Sequence, residues 1–485
     1  MTNKEESPDV VVIGAGISGL VAAHELLRAD KTIKITILEA MNRVGGRTFS
    51  TEMKGKNHSR EKFDLGAQWI GPTQTRVLQL IDSLELKTYK QFLDGDKMAQ
   101  IGVSKPRKYT SDQFIFSIRH FSIFEILDST LTVLKMKWLV KFSNLKNYFS
   151  WKKATSLDNM TVAKWATENS WTRATQDVLD IAIRCVYGTE ANRISMMFHV
   201  ITAKTTGGED RIFDADECIA LKVSGGAYQI SEKLSEKIGT DKIRLGHVVK
   251  RIDVNENNGT AVLHVEDHKG RKETITTRHV IAAIPPNQCA RIKITPDVPE
   301  LKRRLFNSAT QGNLIKFIIT YEKAFWRENG MSGEIISTGR TEKPGEVLPI
   351  ICTYDATTPS GVPALVGFMN EEYADKVFSE RCNLVVTDLV RFLGDDAFKQ
   401  FLDYKDKIWA HEEYVGGCPN AMFPPGQMDA YQTIREPFHN VHFASTETAT
   451  VWMGYMEGAI QSGQRTAHEV LHCMEKHSLV SYEYL

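Results

Sequence analysis

Residues 10–19 read Val-Val-Val-Ile-Gly-Ala-Gly-Ile-Ser-Gly, and residues 35–40 read Ile-Thr-Ile-Leu-Glu-Ala. The β-branched run predicts a buried parallel strand, and the three glycines predict a tight turn that opens a helix. The first N–H groups of that helix would face a diphosphate, and Glu39 would accept hydrogen bonds from ribose hydroxyls. Because strand, glycines, helix, second strand and acid stand at the expected offsets, the sequence predicts a dinucleotide-binding domain.

A second glycine-rich loop follows the acid directly, since residues 43–48 read Arg-Val-Gly-Gly-Arg-Thr. Glycines let the backbone approach a ligand, and the forked guanidinium group suits phosphate oxygens. A nicotinamide dinucleotide does not need a second basic loop here, whereas a longer, flavin-bearing dinucleotide lying across the domain does. The loop therefore favours a flavin, although solvated surface charges at Arg43 and Arg47 would produce the same pattern.

Composition indicates an ordinary globular protein of two intertwined domains. The chain has 485 residues, 42% of them hydrophobic, and its 60 Lys and Arg residues balance 60 Asp and Glu residues. A net charge of zero indicates no nucleic-acid partner. The seven cysteines lack metal-ligand spacing, so we expect no metal site and a reducing compartment. The charged N-terminus does not resemble a secretory signal, which favours a soluble, intracellular protein in the cytoplasm.

Residues 111–153 combine apolar side chains at roughly helical spacing with six lysines. One interpretation is a helical substrate domain that turns a solvated basic face outward. The other is a basic amphipathic patch, over residues 133–153, that contacts an anionic membrane surface. The sequence leaves both interpretations open.

Lys316 lies in the middle of an apolar stretch, Asn313-Leu-Ile-Lys-Phe-Ile-Ile-Thr320. Burial disfavours an ammonium and lowers its pKa, so a buried lysine could hold a water or act as a base. A lysine on an edge strand that extends its amine into solvent would fit the same pattern.

Two further features lie in the last third of the chain. Cys418 follows Gly416-Gly417, which would expose its sulfur to a planar ring, although an inert buried thiol is the alternative. A helix is predicted to start near Gly454-Tyr455-Met456, after Glu447 and small residues. Its N-terminus would stabilise the negative charge of a reduced flavin.

These stretches together resemble the flavin monoamine oxidase family, over about Asp9 to Leu471. The motifs that carry the resemblance are Gly14 to Glu39, Arg43 to Thr48, Asp64 to Gln74, Ile284-Pro-Pro, and Thr446-Glu-Thr-Ala with Gly454 to Gly458. The resemblance implies an α/β fold, α+β overall, with a discontinuous Rossmann-like FAD-binding domain and a mixed-sheet and helical substrate domain. The expected boundaries are 1–88, 222–292 and 411–475 for the FAD-binding domain, 89–221 and 293–410 for the substrate domain, and 476–485 for a C-terminal tail.

The resemblance also implies roles for single residues. Lys316 matches a catalytic lysine that holds a water at flavin N5, and Tyr455 matches one catalytic wall of an aromatic cage that orients the amine. FAD is the implied cofactor, and Cys418 lies where some members bond sulfur to the flavin, so a covalent link stays open. The implied FAD contacts are Gly14, Gly16, Gly19, Glu39, Arg43, Gly46, Arg47, Val249, Cys418, Glu447, Tyr455 and Met456.

Three departures from the family pattern affect these expectations. Pro419 stands where animal enzymes have the second tyrosine of the cage, so the cage is either open or closed by another residue. Ser445 replaces a glycine that usually precedes Thr446-Glu447. No membrane-anchoring tail is expected after residue 471.

The implied activity is FAD-dependent oxidative deamination of primary amines, with secondary amines also open, by O2 to aldehyde, ammonia and hydrogen peroxide. A polyamine oxidase is one alternative, and it would need acidic groups along a long channel. An L-amino-acid oxidase would need an arginine to bind the carboxylate, and residues 66–73 offer none. A flavin-binding scaffold without turnover is the third alternative, and a homodimer stays open in every case.

Overall fold

The structure is a computed structural model, and it describes residues 7–110, 121–144, 151–343 and 345–474. The strands are β1 (Val10–Ile13), β2 (Ile35–Glu39), β3 (Ser50–Lys54), β4 (Arg60–Asp64), β5 (Trp69–Ile70), β6 (Thr88–Lys90), β7 (Asp96–Gln100), β8 (Arg107–Tyr109), β9 (Leu221–Val223), β10 (Ile243–Leu245), β11 (His247–Asn255), β12 (Thr260–Asp267), β13 (Lys272–Thr277), β14 (His279–Ala282), β15 (Lys293–Thr295), β16 (Thr310–Gln311), β17 (Ile315–Tyr321), β18 (Met331–Ser337), β19 (Ile350–Asp355), β20 (Ala364–Met369), β21 (Phe401–Ile408), β22 (Ala421–Met422) and β23 (Val441–Phe443). The α-helices are α1 (Ile17–Ala29), α2 (Thr75–Ser83), α3 (Ile123–Phe142), α4 (Ala154–Asp158), α5 (Val162–Asn169), α6 (Arg173–Tyr187), α7 (Met196–Thr205), α8 (Glu209–Phe213), α9 (Ala215–Cys218), α10 (Tyr228–Ile238), α11 (Pro286–Cys289), α12 (Glu300–Ser308), α13 (Phe325–Glu328), α14 (Phe378–Leu393), α15 (Asp396–Lys399), α16 (Met428–Tyr431) and α17 (Met456–Cys473). The tail predicted at 476–485 lies outside the described residues.

The nucleotide-binding sheet is parallel and has the strand order β10-β2-β1-β14-β23. Its central strand β1 is buried along its whole length, which explains its uniformly β-branched sequence. The five strands come from three well-separated stretches of the chain, as a discontinuous domain requires. The domain boundaries themselves stay a prediction.

Helices α1, α10 and α17 cover one face of this sheet, with α1 packed between the other two. The contact between α1 and α17 is close because Gly463 has no side chain. A Cβ at Gly463 would lie 2.4 Å from the carbonyl oxygen of Ser18. This contact fixes the start of α17 near the glycine turn that follows β1.

The second large sheet is mixed and has the order β21-β17-β20-β19-β18-β7-β8. Strand β17 lies inside it, paired antiparallel with both β20 and β21. Every residue of β17 is buried, including Lys316. The interpretation of Lys316 as a solvent-reaching lysine on an edge strand is therefore wrong.

Helix α3 begins with a capping box between Ser122 and Glu125 and confirms the helical prediction for its part of residues 111–153. Its buried face carries polar side chains: Asp128 accepts the backbone N–H groups of Trp171 and Thr172 at 2.9 and 2.8 Å. The outward face is apolar rather than simply basic. Its exposed large side chains are Ile123, Phe124, Leu127, Leu131, Leu134, Trp138 and Phe142.

None of the helices in the described ranges has the length and apolar character needed to cross a bilayer. Residues 111–120 and 145–150, which belong to the segment predicted as amphipathic, lie outside those ranges.

Candidate active site

A cavity of about 640 Å³ lies between the nucleotide-binding sheet and the mixed sheet. Ile13, Leu38 and Ala283, at or next to the carboxyl ends of three parallel strands, contribute to one side of it. Lys316 on β17 and the first turn of α17 also line it. Ligands of open α/β sheets bind outside the carboxyl ends of the strands, which is where this cavity lies.

The two glycine loops meet at this cavity. Gly14 adopts φ +99°, and a Cβ there would lie 2.7 Å from the carbonyl oxygen of Ala283. Gly16 and Gly46 line the cavity, and a Cβ on Gly46 would lie 3.3 Å from the Cα of Gly16. Gly19 does not line the cavity, because it packs α1 on the turn: its Cβ would lie 2.0 Å from the oxygen of Gly14. Gly19 therefore has a packing role, and its contact with the cofactor stays a prediction.

Glu39 closes the turn from the end of β2. Its two carboxylate oxygens accept the N–H groups of Ala15 and Met41 at 2.7 and 2.9 Å. Burial raises the pKa of Glu39, and these hydrogen bonds oppose that rise. Glu39 lines the cavity, so its remaining lone pairs can accept from ribose hydroxyls as predicted.

The guanidinium of Arg43 contacts the backbone of its own glycine loop. Its guanidinium donates to the carbonyl oxygens of Val44, Gly46 and Thr48, at 3.1, 2.9 and 3.1 Å. It is absent from the cavity wall. Arg43 therefore stabilises the second glycine loop, and its own contact with a pyrophosphate stays a prediction.

Arg47 lies in the cavity wall and is held by Glu447. The guanidinium donates to the two oxygens of Glu447 at 2.6 and 3.2 Å and to the carbonyl oxygen of Pro419 at 3.0 Å. Burial opposes ionisation of Glu447, but the charge and hydrogen bonds of Arg47 outweigh it and lower the pKa. Glu447 is 1% exposed, does not line the cavity and orients Arg47, and its contact with a cofactor stays a prediction.

Val249 reaches the cavity through a β-bulge. The register between β11 and β12 shifts between Val249 and Arg251. A bulge of this kind leaves one residue out of the regular pairing and bends the strand. Val249 lines the cavity together with Val248 and Lys250, which is consistent with the backbone contact predicted for it.

Lys316 projects from the mixed sheet into the cavity wall. Its Nζ donates to the carbonyl oxygen of Gly66 at 2.7 Å and to Oε1 of Gln68 at 2.6 Å. Burial lowers the pKa of Lys316 to about 7, although the charge of Asp64 opposes this. Its amine also lies 5.2 Å from the ring centre of Trp69. Lys316 can therefore exist as a neutral amine and as an ammonium near pH 7, with two hydrogen bonds fixed in either form.

Cys418 and Pro419 both line the cavity. The N–H of Cys418 donates to the carbonyl oxygen of Gly312 at 2.8 Å, which holds this loop on the strand that leads to Lys316. Burial raises the pKa of the Cys418 thiol to about 12, and the nearby charge of Lys316 only partly opposes this. The thiol is thus protonated near neutral pH and is a weak nucleophile.

The first turn of α17 supplies Tyr455 and Met456 to the cavity wall. Tyr455 is the N-cap, and its ring packs edge-on against Trp452 at 4.9 Å between centres. Thr446 fixes the turn by donating its hydroxyl to the carbonyl oxygen of Tyr455 at 2.8 Å. The N-terminus of this 18-residue helix therefore faces the cavity and favours negative charge there.

A sequence profile of flavin-containing amine oxidoreductases matches residues 17–471. The chain belongs to this family. It is 33% identical to a flavin-containing amine oxidase of Danio rerio over 478 residues, which cover 96% of this chain and 86% of that protein. It is 31% identical to flavin-containing amine oxidase B of Bos taurus over 477 residues, covering 96% and 87%.

Solved structures of amine oxidases share the fold. Cyclohexylamine oxidase from Brevibacterium oxydans IH-35A superposes with a TM-score of 0.86 at 26% identity, covering 97% of this chain and 100% of that one. Wild-type putrescine oxidase bound to putrescine gives a TM-score of 0.84 at 26% identity, covering 96% and 99%. The predicted family, fold class, FAD cofactor and amine-oxidising activity are thereby confirmed, with an amine and O2 as the reactants.

The cavity of this flavin-containing amine oxidoreductase fits FAD on its own geometry. A Cβ at Gly14 would collide with backbone, Glu39 offers acceptor positions, and Arg47 is fixed at the second loop. Lys316 and the start of α17, both in the cavity wall, would hold its flavin ring. Ser445, the serine that replaces the usual glycine, also lies in the wall and is buried.

Several residues of the site are not among those predicted from the sequence. Trp69 packs against Tyr354 and Phe368, with ring centres 5.4 and 6.0 Å apart, and all three line the cavity beside Lys316. Gln68 holds the Lys316 amine. Both Gln68 and Trp69 belong to the stretch Asp64 to Gln74, which is one of the motifs that carry the family resemblance. That motif is the feature of the sequence that could have identified them as site residues.

Proposed function

We propose that this flavin-containing amine oxidoreductase converts primary amines, O2 and water to aldehyde, ammonia and hydrogen peroxide, and that it oxidises secondary amines in the same way with a primary amine released in place of ammonia. The observation that carries this proposal is the Lys316 amine, buried beside aromatic rings in the wall of the cavity that fits FAD. The names of the relatives support amines as the substrates: cyclohexylamine oxidase is named for an amine with one nitrogen, and putrescine oxidase is solved with a diamine bound.

The bound flavin would supply two-electron oxidation of the amine carbon and would return those electrons to O2. The chain must then hold the amine neutral and keep water away, because an ammonium has no lone pair to assist C–H cleavage. Tyr455, Trp69 and Phe368 provide an apolar aromatic surface for this purpose. Pro419 replaces one cage tyrosine, and we assign the missing aromatic wall to the cluster around Trp69.

Lys316 would handle a proton in this scheme. As a neutral amine it has two N–H groups, both used by Gly66 and Gln68, and its lone pair can accept from a water. As an ammonium it has a third N–H to donate. Because burial brings the pKa to about 7, the switch between these states costs little at neutral pH.

The arginines in the cavity wall give little support to an L-amino-acid oxidase. Arg47 is paired with Glu447, and Arg291 is paired with Glu413 at 2.9 Å. A substrate carboxylate would have to compete with these acids for each guanidinium. Lys316 and Tyr455, both in the cavity wall, also argue against a flavin-binding scaffold without turnover.

Helix α3 supports contact with an anionic membrane surface, the sharper of the two interpretations of residues 133–153. Its exposed apolar stripe has Lys135 and Lys141 beside it, both exposed, and Lys153 lies 5.2 Å from the ring centre of Trp138. Apolar side chains flanked by lysines are typical of interfacial helices. We expect the protein to sediment with phosphatidylserine vesicles but not with phosphatidylcholine vesicles. Sedimentation with neither kind of vesicle would refute this proposal. Location in the cytoplasm and formation of a homodimer stay predictions.

Anaerobic mixing of the purified holoenzyme with a panel of amines tests the catalytic proposal. Bleaching of the flavin absorbance by benzylamine and hexylamine, followed by recovery with O2 and release of hydrogen peroxide, is expected. Bleaching by L-leucine alone would indicate an amino-acid oxidase. A flavin that no amine reduces would indicate a scaffold and would refute the proposal.

A further inference from the structure

A buried hydrogen-bond network lies beside the main cavity and is formed by Tyr187, His199 and Glu209. It has no role in the amine oxidation proposed above. Nδ1 of His199 lies 2.9 Å from the Tyr187 hydroxyl, and Nε2 lies 3.0 Å from Oε1 of Glu209. His199 is fully buried and Glu209 is 4% exposed. Tyr187 and Glu209 both belong to the cavity wall.

The backbone explains how Glu209 returns to His199. Helix α7 ends at Thr205, and Gly207 and Gly208 follow with φ values of +96° and +140°. Their N–H groups donate to the carbonyl oxygens of Lys204 and Ala203 at 3.1 and 2.9 Å. The chain reverses there, and α8 therefore begins with Glu209 over the helix that carries His199.

One carboxylate oxygen of this network, Oε2 of Glu209, accepts no hydrogen bond. The Tyr187 hydroxyl can donate to Nδ1 of His199 while the Nε2–H donates to Oε1 of Glu209. Oε2 of Glu209 is enclosed and has no hydrogen-bond partner. A buried carboxylate oxygen without a donor is costly, so a donor from the cavity would stabilise it.

The network lies at the same end of the cavity as Tyr455. The N–H groups of Trp452 and Met453 donate to the carbonyl oxygen and the hydroxyl of Thr205, at 2.9 and 3.3 Å. Thr205 precedes Glu209 by four residues, and the loop it holds leads directly into Tyr455. Thr205 therefore links the segment that leads into Tyr455 to the segment that carries Glu209.

From this arrangement we propose that Glu209 binds the second ammonium group of an α,ω-diamine whose first amino group is oxidised at the flavin. The inference rests on the proposed function and specifies its substrate class. His199 fixes one oxygen of Glu209 and leaves the other for the ammonium. The subsite would favour diamines over monoamines of the same length.

Charges near the cavity mouth agree with a dicationic substrate. Asp210 and Asp214 follow Glu209 in the cavity wall and are exposed. Lys137, the cation of α3 in this wall, is paired with Asp210 rather than with Glu209. Lys97 is paired with Glu334 at 3.2 Å, both buried. Each of these two lysines thus has another acid as its partner.

Steady-state oxidation of matched substrates by the holoenzyme tests the subsite. The panel pairs 1,5-diaminopentane with pentylamine and with 5-aminopentan-1-ol, in which a hydroxyl replaces the second ammonium. For the wild type we expect kcat/KM for the diamine to exceed that for each partner at least tenfold, since a desolvated charge-assisted hydrogen bond is worth on the order of tenfold or more. This comparison needs no variant and so does not depend on the folding of one.

Glu209→Gln keeps the shape and removes the charge, and we expect it to reduce the diamine-to-pentylamine ratio at least tenfold, mainly through KM. Glu236→Gln is the matched control, at an exposed acid outside the cavity wall, and its ratio should stay within about twofold of wild type. A wild-type ratio near one, or an unchanged ratio in Glu209→Gln, would overturn the inference while leaving amine oxidation intact. A flavin that no amine reduces would instead refute the proposed function and this inference with it.

Discussion

Replacement of Arg47 by methionine probes the buried ion pair that joins the second glycine loop to the segment before α17. Arg47 donates to both carboxylate oxygens of Glu447, 400 residues later in the chain. The side chains of Arg47 and Glu447 are 21% and 1% exposed. In Arg47→Met the carboxylate keeps the N–H of Ala421, at 2.9 Å, as its remaining hydrogen-bond donor outside its own segment.

The expected loss follows from leaving a buried charge without its partner. Breaking a buried pair from one side typically costs about 3–5 kcal/mol of the free energy of unfolding. Glu447→Gln removes the charge but keeps an acceptor for Ala421, so we expect a smaller loss of about 1–3 kcal/mol. In the double variant no unpaired charge is buried, and a coupling energy of about 2–3 kcal/mol is therefore expected.

Denaturant unfolding at fixed added FAD measures these free energies, and their pH dependence gives the sharpest check. In the wild type the pKa of Glu447 is lowered, so its contribution is present above the unfolded pKa of 4.5 and is lost as pH falls through the folded value. Without Arg47, burial raises that pKa, and stability should instead fall as pH rises above about 4.5. Parallel pH curves for Arg47→Met and wild type between pH 5 and 7.5 would refute the reasoning.

Three further changes have defined outcomes. Lys316→Met should retain bound flavin but slow its reoxidation by O2 at least tenfold, and should remove a step near pH 7 from the reoxidation profile; stopped-flow absorbance checks both. Acid precipitation should release yellow flavin into the supernatant, because a Cys418 thiol with a pKa of about 12 does not bond the ring readily, and a yellow pellet would contradict this. Gly14→Ala places a Cβ 2.7 Å from the Ala283 oxygen at φ +99°, so it should abolish FAD retention, as measured by the flavin-to-protein absorbance ratio.

The nucleotide-binding half of the site could be predicted because its determinants are local. A β-branched strand, glycines at fixed offsets and an acid at the end of the next strand specify the turn without any distant partner. Glu39 accordingly stands where it was expected, at 2.7 Å from the N–H of Ala15. The sequence predicts a functional role for Lys316 for a similar reason, because a charged residue within an apolar stretch is a local feature.

The remaining features depend on partners far away in the chain. Arg43 and Arg47 flank the same two glycines, and the sequence gives no means of telling which guanidinium will meet Glu447 and which will brace its own loop. The place of β17 inside its sheet depends on β20 and β21, which follow it in the chain. Helical spacing predicted α3, but a polar inner face around Asp128 turned its apolar side chains outward.

The strand order β10-β2-β1-β14-β23 has a consequence for the nascent chain. The first two strands of the Rossmann-like sheet leave the ribosome early, yet their neighbour β23 and the helix α17 belong to residues 441–473. Synthesis at about 5–20 residues per second separates these events by tens of seconds, during which β1 and its glycine turn have no finished pocket. FAD is therefore bound late, after synthesis of the chain is complete. A chain that ends before α17 would be colourless and would expose its apolar strands.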